Sequence, residues 1–152
     1  MKKTEIKYFK SDIEKVFEKL ILGWDELTEF YNKEVVSNYD DPKDRLDYID
    51  IADISRFIVE KKKLEQTEKF EQFFENVEEI IIHGEHYVQE LIVIGLFEGI
   101  QNIGGLEIDY YRSFDKWLKN SSLKAWRELI DFWEKDDWRK TAESENIMNK
   151  KK

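Results

Sequence analysis

Residues 13–31 constrain the fold more than any other stretch of the chain. Ile13, Val16, Phe17, Leu20, Ile21, Trp24, Leu27, Phe30 and Tyr31 recur at spacings of three and four, the period that lines apolar side chains along one stripe of an α-helix. The spacing predicts one long amphipathic helix capped by Ser11. Such a stripe must be buried against other elements, and the rest of the chain supplies more helices. Pro42, behind Asp40 or Asp41, fits the first turn of a second helix that carries Leu46, Ile49, Ile54, Phe57 and Ile58 inward and ends near Lys63. Thr67 opens a third, with Phe70, Phe73, Phe74, Val77, Ile80 and Ile81 on one face and a stop at Gly84. A fourth runs from Glu85 to Asn102 and is closed by Gly104 and Gly105. "DYYRSFDKWLKN" reads as a shorter helix, and "SSLKAWRELIDFWEKDDW" as a capped one with a stripe of Leu123, Trp126, Ile130 and Trp133.

No segment alternates apolar and polar residues in the manner of a strand. The expected fold is all-α: a single domain of about six helices over residues 1–140, with residues 141–152 as a frayed polar tail. An antiparallel bundle and a short helix-pair superhelix both satisfy this pattern. The triplet Lys61, Lys62 and Lys63 reads as a solvated helix end, where positive charge complements the macrodipole.

Composition narrows the function. The 152 residues suffice for one core. A net charge of −9 repels phosphate backbones, so no nucleic-acid partner is expected, and a basic protein is the natural complement. The absence of cysteine removes disulfides, thiolate metal sites and thiol nucleophiles together, and fits a reducing cytoplasm. The N-terminus turns acidic and polar where an export signal needs an apolar core. The longest apolar run, residues 91–100, falls well short of the roughly 20 residues of a membrane span. The expectation is a soluble cytoplasmic protein without a membrane partner.

Within "LIVIGLFEGIQNI", residues 91–103, Glu98 interrupts the most apolar run of the chain. The surrounding helix is apolar almost all round, as in a central helix packed on several sides, and Gly95 and Gly99 would let a neighbouring backbone come close. A carboxylate there must accept hydrogen bonds, because an unpaired buried charge costs several kcal/mol. Glu98 and Gln101 are therefore expected to be buried, structural polar groups. His83 and His86, the only histidines, stand in "HGEH", with Glu79 four residues before the first. Gly84 breaks the helix between them and the H-E-x-x-H order is missing, so loop histidines explain the string and no metal or cofactor is expected. No nucleophile elbow and no phosphate-binding glycine loop occurs. The expectation is not an enzyme.

"DDPKDRLDYIDIAD" repeats an acid every three positions at Asp41, Asp44, Asp47, Asp50 and Asp53, with Tyr48 among them. On a helix these wind slowly around the surface, and they read either as a solvated helix face with favourable N-terminal acids or as an anionic docking site with an aromatic anchor. Asp41, Asp44, Asp47, Tyr48 and Asp50 are the candidate partner-binding residues.

"DYIDIADISRFIVEKK", "FEQFFENVEEII", "LIVIGLFEGIQNI" and "SFDKWL" together resemble a family of small acidic all-helical bacterial proteins of unknown biochemical activity. The string Gly95 to Gln101 matches its G-(F/L)-(L/F)-E-(G/D)-(L/I)-Q piece, and the resemblance covers most of residues 45–120. Members look like immunity proteins of polymorphic or contact-dependent toxin systems. The resemblance implies inhibition of a cognate toxin domain by stoichiometric binding. The alternatives are a homo-oligomeric helical scaffold or adaptor and, more remotely, a metal-dependent hydrolase using His83 and His86.

Overall fold

A computed structural model describes residues 5–104 and 113–135, apart from the side chains of Pro42 and of residues 133–135. Among the described residues there are helices and turns and no strand. The one β-type pairing is an isolated parallel bridge between Tyr8 and Gly84. It forms where Lys7 and Tyr8 donate to the His83 carbonyl and Glu85 donates back to Tyr8.

The long first helix is in fact two. Helix α1, Ile13–Ile21, starts behind Asp12, so Ser11 does not cap it; it lies in the short 3₁₀ turn Lys10–Asp12. Helix α1 stops because Gly23 takes φ 82°, a left-handed conformation that glycine adopts without a Cβ clash. The buried Asn76 closes the break by donating to the Leu22 carbonyl at 3.0 Å. The chain restarts as α2, Asp25–Phe30, and continues through a π turn, Tyr31–Val35, and a 3₁₀ turn, Val36–Asn38. The apolar stripe survives the break, with Val16, Phe17, Leu20, Trp24, Leu27 and Tyr31 all buried.

Pro42–Asp44 forms its own 3₁₀ turn, and α3 spans Asp47–Lys63. Its buried positions are Asp50, Ile51, Ile54, Ser55, Ile58 and Val59, while Leu46 and Ile49 are exposed. Of the residues expected inward, Ile54 and Ile58 are buried and Phe57 is half-buried, so the true face shares part of the expected stripe but is turned away from Leu46 and Ile49 toward Asp50 and Ile51. Lys61 is buried rather than solvated. It pairs with Glu26 of α2, donates to Gln66 at 2.9 Å and lies over the Phe57 ring.

Helix α4, Phe70–His83, begins three residues after Thr67 and ends at Gly84 as expected. Gly84 is packed so tightly that a Cβ there would sit 2.6 Å from the Ile80 carbonyl oxygen. The chain then runs as one rod over residues 86–104: α5, His86–Glu90, a π segment, Leu91–Phe97, and α6, Glu98–Gly104. Ile51 and Ser55 of α3 meet Gly95 and Gly99 of the rod in the same order along both helices, so α3 and the rod run parallel. Their backbones approach because a Cβ on Gly95 would lie 2.5 Å from Ile51 Cγ2.

The shorter helix expected in "DYYRSFDKWLKN" falls partly outside the described residues. From Ser113 onward that stretch is a turn, closed by Trp117 and Leu118 donating to the Phe114 carbonyl. Helix α7 follows as Asn120–Lys135. Trp133 and the tail, residues 141–152, lie outside what is described at side-chain level. The described helices share one aromatic-rich core, in which Trp24 meets Phe57 and Phe73 edge-on and Trp126 meets Phe97 in the same way. No described helix is long and apolar enough to cross a membrane.

Candidate partner-binding surface

The rotation of α3 divides the acidic stretch. Asp50 is not a surface residue: its relative exposure is 0%. It accepts hydrogen bonds from Tyr39 Oη at 2.8 Å and Arg45 Nε at 3.0 Å. Arg45 Nη2 lies 2.9 Å from the same carboxylate oxygen but off the hydrogen-bonding direction, so this contact is electrostatic only. The guanidinium stacks over Phe17 and Tyr31, with ring centroids at 4.8 and 5.4 Å. The two rings are themselves stacked, with centroids 5.7 Å apart, and a planar, weakly hydrated cation suits a place against such an aromatic pair better than an ammonium would. Leu46 N also donates to Tyr39 Oη. The Asp50 knot thus fastens the segment from Tyr39 to Leu46 onto α3.

Asp47 is half-buried and accepts from Tyr87 Oη of the rod at 2.8 Å. Burial first, then this hydrogen bond and the Asp47 charge, push the Tyr87 phenol up to about 12. The interaction ties the start of α3 to α5. It also leaves Asp47 with one oxygen committed to the fold.

Asp41, Asp44 and Tyr48 remain open to solvent, with Leu46 and Ile49 beside them in sequence and equally exposed. Asp41 Oδ1 accepts from Lys43 N at 2.9 Å and its carbonyl from Asp44 N at 2.9 Å, so the acids sit on a turn of defined shape. Tyr48 is 42% exposed, and its ring lies 3.5 Å from where a Cβ on Gly95 would be. Burial, then the nearby charges of Glu90 and Asp47, raise its phenol above the ordinary value.

Glu98 is a second correction. It is half-buried rather than buried and, among the described residues, has no hydrogen-bond or ion-pair partner. The rod turns Gly95 and Gly99 toward α3 and Leu96, Phe97 and Ile100 into the core, and Glu98 comes out on the remaining arc. Gln101 is buried, and donates to the Trp126 carbonyl at 3.4 Å. The carboxylate that serves a helix end is Glu78 of α4, which sequence reasoning passed over. Its two oxygens accept from Ser121 N at 3.1 Å and Ser122 N at 2.8 Å, in the first turn of α7, where backbone N–H groups have no intrahelical partner. Its place between Val77 and Ile81 on the buried face of α4 was the available sign.

The histidines do not converge. His83 Nδ1 lies 2.9 Å from the Glu5 carbonyl and its Nε2 3.4 Å from Glu79. His86 is exposed and pairs with Glu90 of its own helix at 3.2 Å. Among the described residues no three His, Asp or Glu side chains could hold a metal ion.

A family model for DUF7674, a domain of unknown function, matches residues 12–134. The chain belongs to the DUF7674 family. The DUF7674 match runs from the start of α1 into the last turn of α7 and takes in the Asp50 knot and the exposed acids on the turn before α3. No curated protein and no solved structure matches the chain.

Proposed function

We propose that this DUF7674 protein is a cytoplasmic immunity protein, which neutralises a cognate bacterial toxin by binding it stoichiometrically through an acidic surface and does no chemistry of its own. The observation that carries the reading is the exposed set of Asp41, Asp44 and Tyr48 with Leu46 and Ile49, held in place by the Asp50 knot and the Asp47–Tyr87 bond. Anchored acids around an aromatic anchor suit recognition of a basic protein surface, because the anchor fills a pocket while the charges steer the encounter. A toxin that acts on nucleic acid is basic for its own reasons, and the net charge of −9 complements it.

A homo-oligomeric scaffold is the second reading, favoured by the exposure of Leu46 and Ile49, 53% and 55%. Charge reversal separates the two. Asp41→Lys with Asp44→Lys should leave the melting temperature nearly unchanged, since exposed charges contribute little to stability. If the proposal holds, association with a toxin domain encoded by a neighbouring gene should slow by about tenfold or more at low salt and lose most of its salt dependence. Unchanged association kinetics, or a gain in self-association on charge removal, would favour the scaffold.

A further inference from the structure

We propose that the solvent face of the seam between α3 and the rod, formed by Tyr48, Ile49, Ile94 and Glu98, is a docking surface for a basic amphipathic helix of a partner protein. Ile51 and Ser55 of α3 meet Gly95 and Gly99 of the rod. On one side of that contact line Ile54, Ile58, Leu96 and Ile100 are fully buried. On the other side lie Tyr48, half-buried Ala52 and exposed Arg56 from α3, with Ile49 further round at the outer edge, and Ile94, Glu98 and exposed Asn102 from the rod. Because the helices are parallel and closely packed, these residues form two adjacent rows on a shallow face. The Asp47–Tyr87 hydrogen bond fixes one end of it.

The chemistry of the face is mixed in an informative way. Ile49 and Ile94 are 55% and 47% exposed, and Ile94 stands in the π segment Leu91–Phe97. Wide π turns inside helices are uncommon and recur at functional positions. One turn to either side of Ile94 on the rod are Glu90 and Glu98. Glu98 has no partner among the described residues, whereas Arg56, the cation on the α3 row, is already engaged by Asp53. An apolar strip flanked by acids in a chain of net charge −9 calls for a ligand with apolar residues on one face and lysine or arginine beside them. A second copy of this chain would bring like charge to like. Two parallel rows match a helix with apolar residues at i, i+3, i+4 and i+7.

The proposal rests on the toxin-binding reading only for which protein carries the helix, and its test uses no toxin. The ¹⁵N-labelled full chain is titrated with a synthetic Leu/Lys peptide of about 15 residues, long enough to be helical, and with a permuted peptide of the same composition lacking the apolar face. The expected result is saturable shifts centred on Tyr48, Ile49, Ile94 and Glu98, with the permuted peptide at least about tenfold weaker. Ile94→Asp and Glu98→Lys should each weaken the first peptide by about tenfold while retaining a folded spectrum. Equal binding of both peptides, shifts spread over the acidic surface generally, or no saturable binding would overturn the proposal. So would concentration-dependent self-association that perturbs the same residues without peptide, because the occupant would then be a second copy.

Discussion

A carboxylate stays inside a protein when donors converge on it, and Asp50 and Glu78 meet that condition here. Asp50 holds a stacked guanidinium and a phenol. Glu78 holds two backbone amides at the start of α7. Glu98 meets no donor among the described residues and faces water in part. Removing one partner of a buried ion pair leaves the other charge uncompensated, which costs about 3 to 5 kcal/mol. Asp50→Asn should therefore destabilise the fold by that order in chemical denaturation, with Arg45 left buried against Phe17 and Tyr31. Glu98→Ala should stay within about 0.5 kcal/mol of the parent, as substitutions at partly exposed, unpartnered positions do. The reverse ranking of the two variants would show that the roles of the two acids are misassigned.

At the scale of elements, the parallel packing of α3 on the rod depends on two glycines. A methyl group on Gly95 meets Ile51 Cγ2 at 2.5 Å. Alanine gains about 1 kcal/mol over glycine in a helix, but forcing a methyl into a full core costs about 1 to 3 kcal/mol. Overpacking should win, and Gly95→Ala is expected to lower the melting temperature by a few degrees; a rise would mean that the seam has room. The same elements show what the sequence discloses. Helix type and approximate extent followed from apolar spacing at α4, at α7 and along the rod, where every turn carries a bulky residue. The break at Gly23 was hidden because the stripe continues in phase on both sides of it. The face of α3 was harder still. Leu46 and Ile49 offer apolar positions well off the true face, and only tertiary pairing with Arg45 and Tyr39 makes Asp50 the inward choice. One rotation moved Asp50 from the proposed binding surface to the core and left Asp41, Asp44 and Tyr48 on it. Glu98 was misplaced for a related reason: residues that surround it in sequence are buried, but they occupy other arcs of the rod.

Taken whole, the molecule is a shared aromatic core with an acidic exterior. The exposed acids sit on the turn before α3 and the apolar strip lies where α3 meets the rod, and the start of α3 is tied to α5 by Tyr87 and to the preceding segment by Arg45 and Tyr39. A surface held this firmly loses little conformational entropy when a partner docks, which favours tight binding for a given area. The central claim is that this surface neutralises a toxin by occupying it. Its most direct test is calorimetric titration of the purified chain with any toxin domain that the neighbouring genes encode. The account predicts a saturable complex of one to one stoichiometry, with a dissociation constant on the order of nanomolar and an affinity that falls as salt rises. Absence of binding at micromolar concentration, or a self-associated chain that ignores the toxin domain, would contradict it.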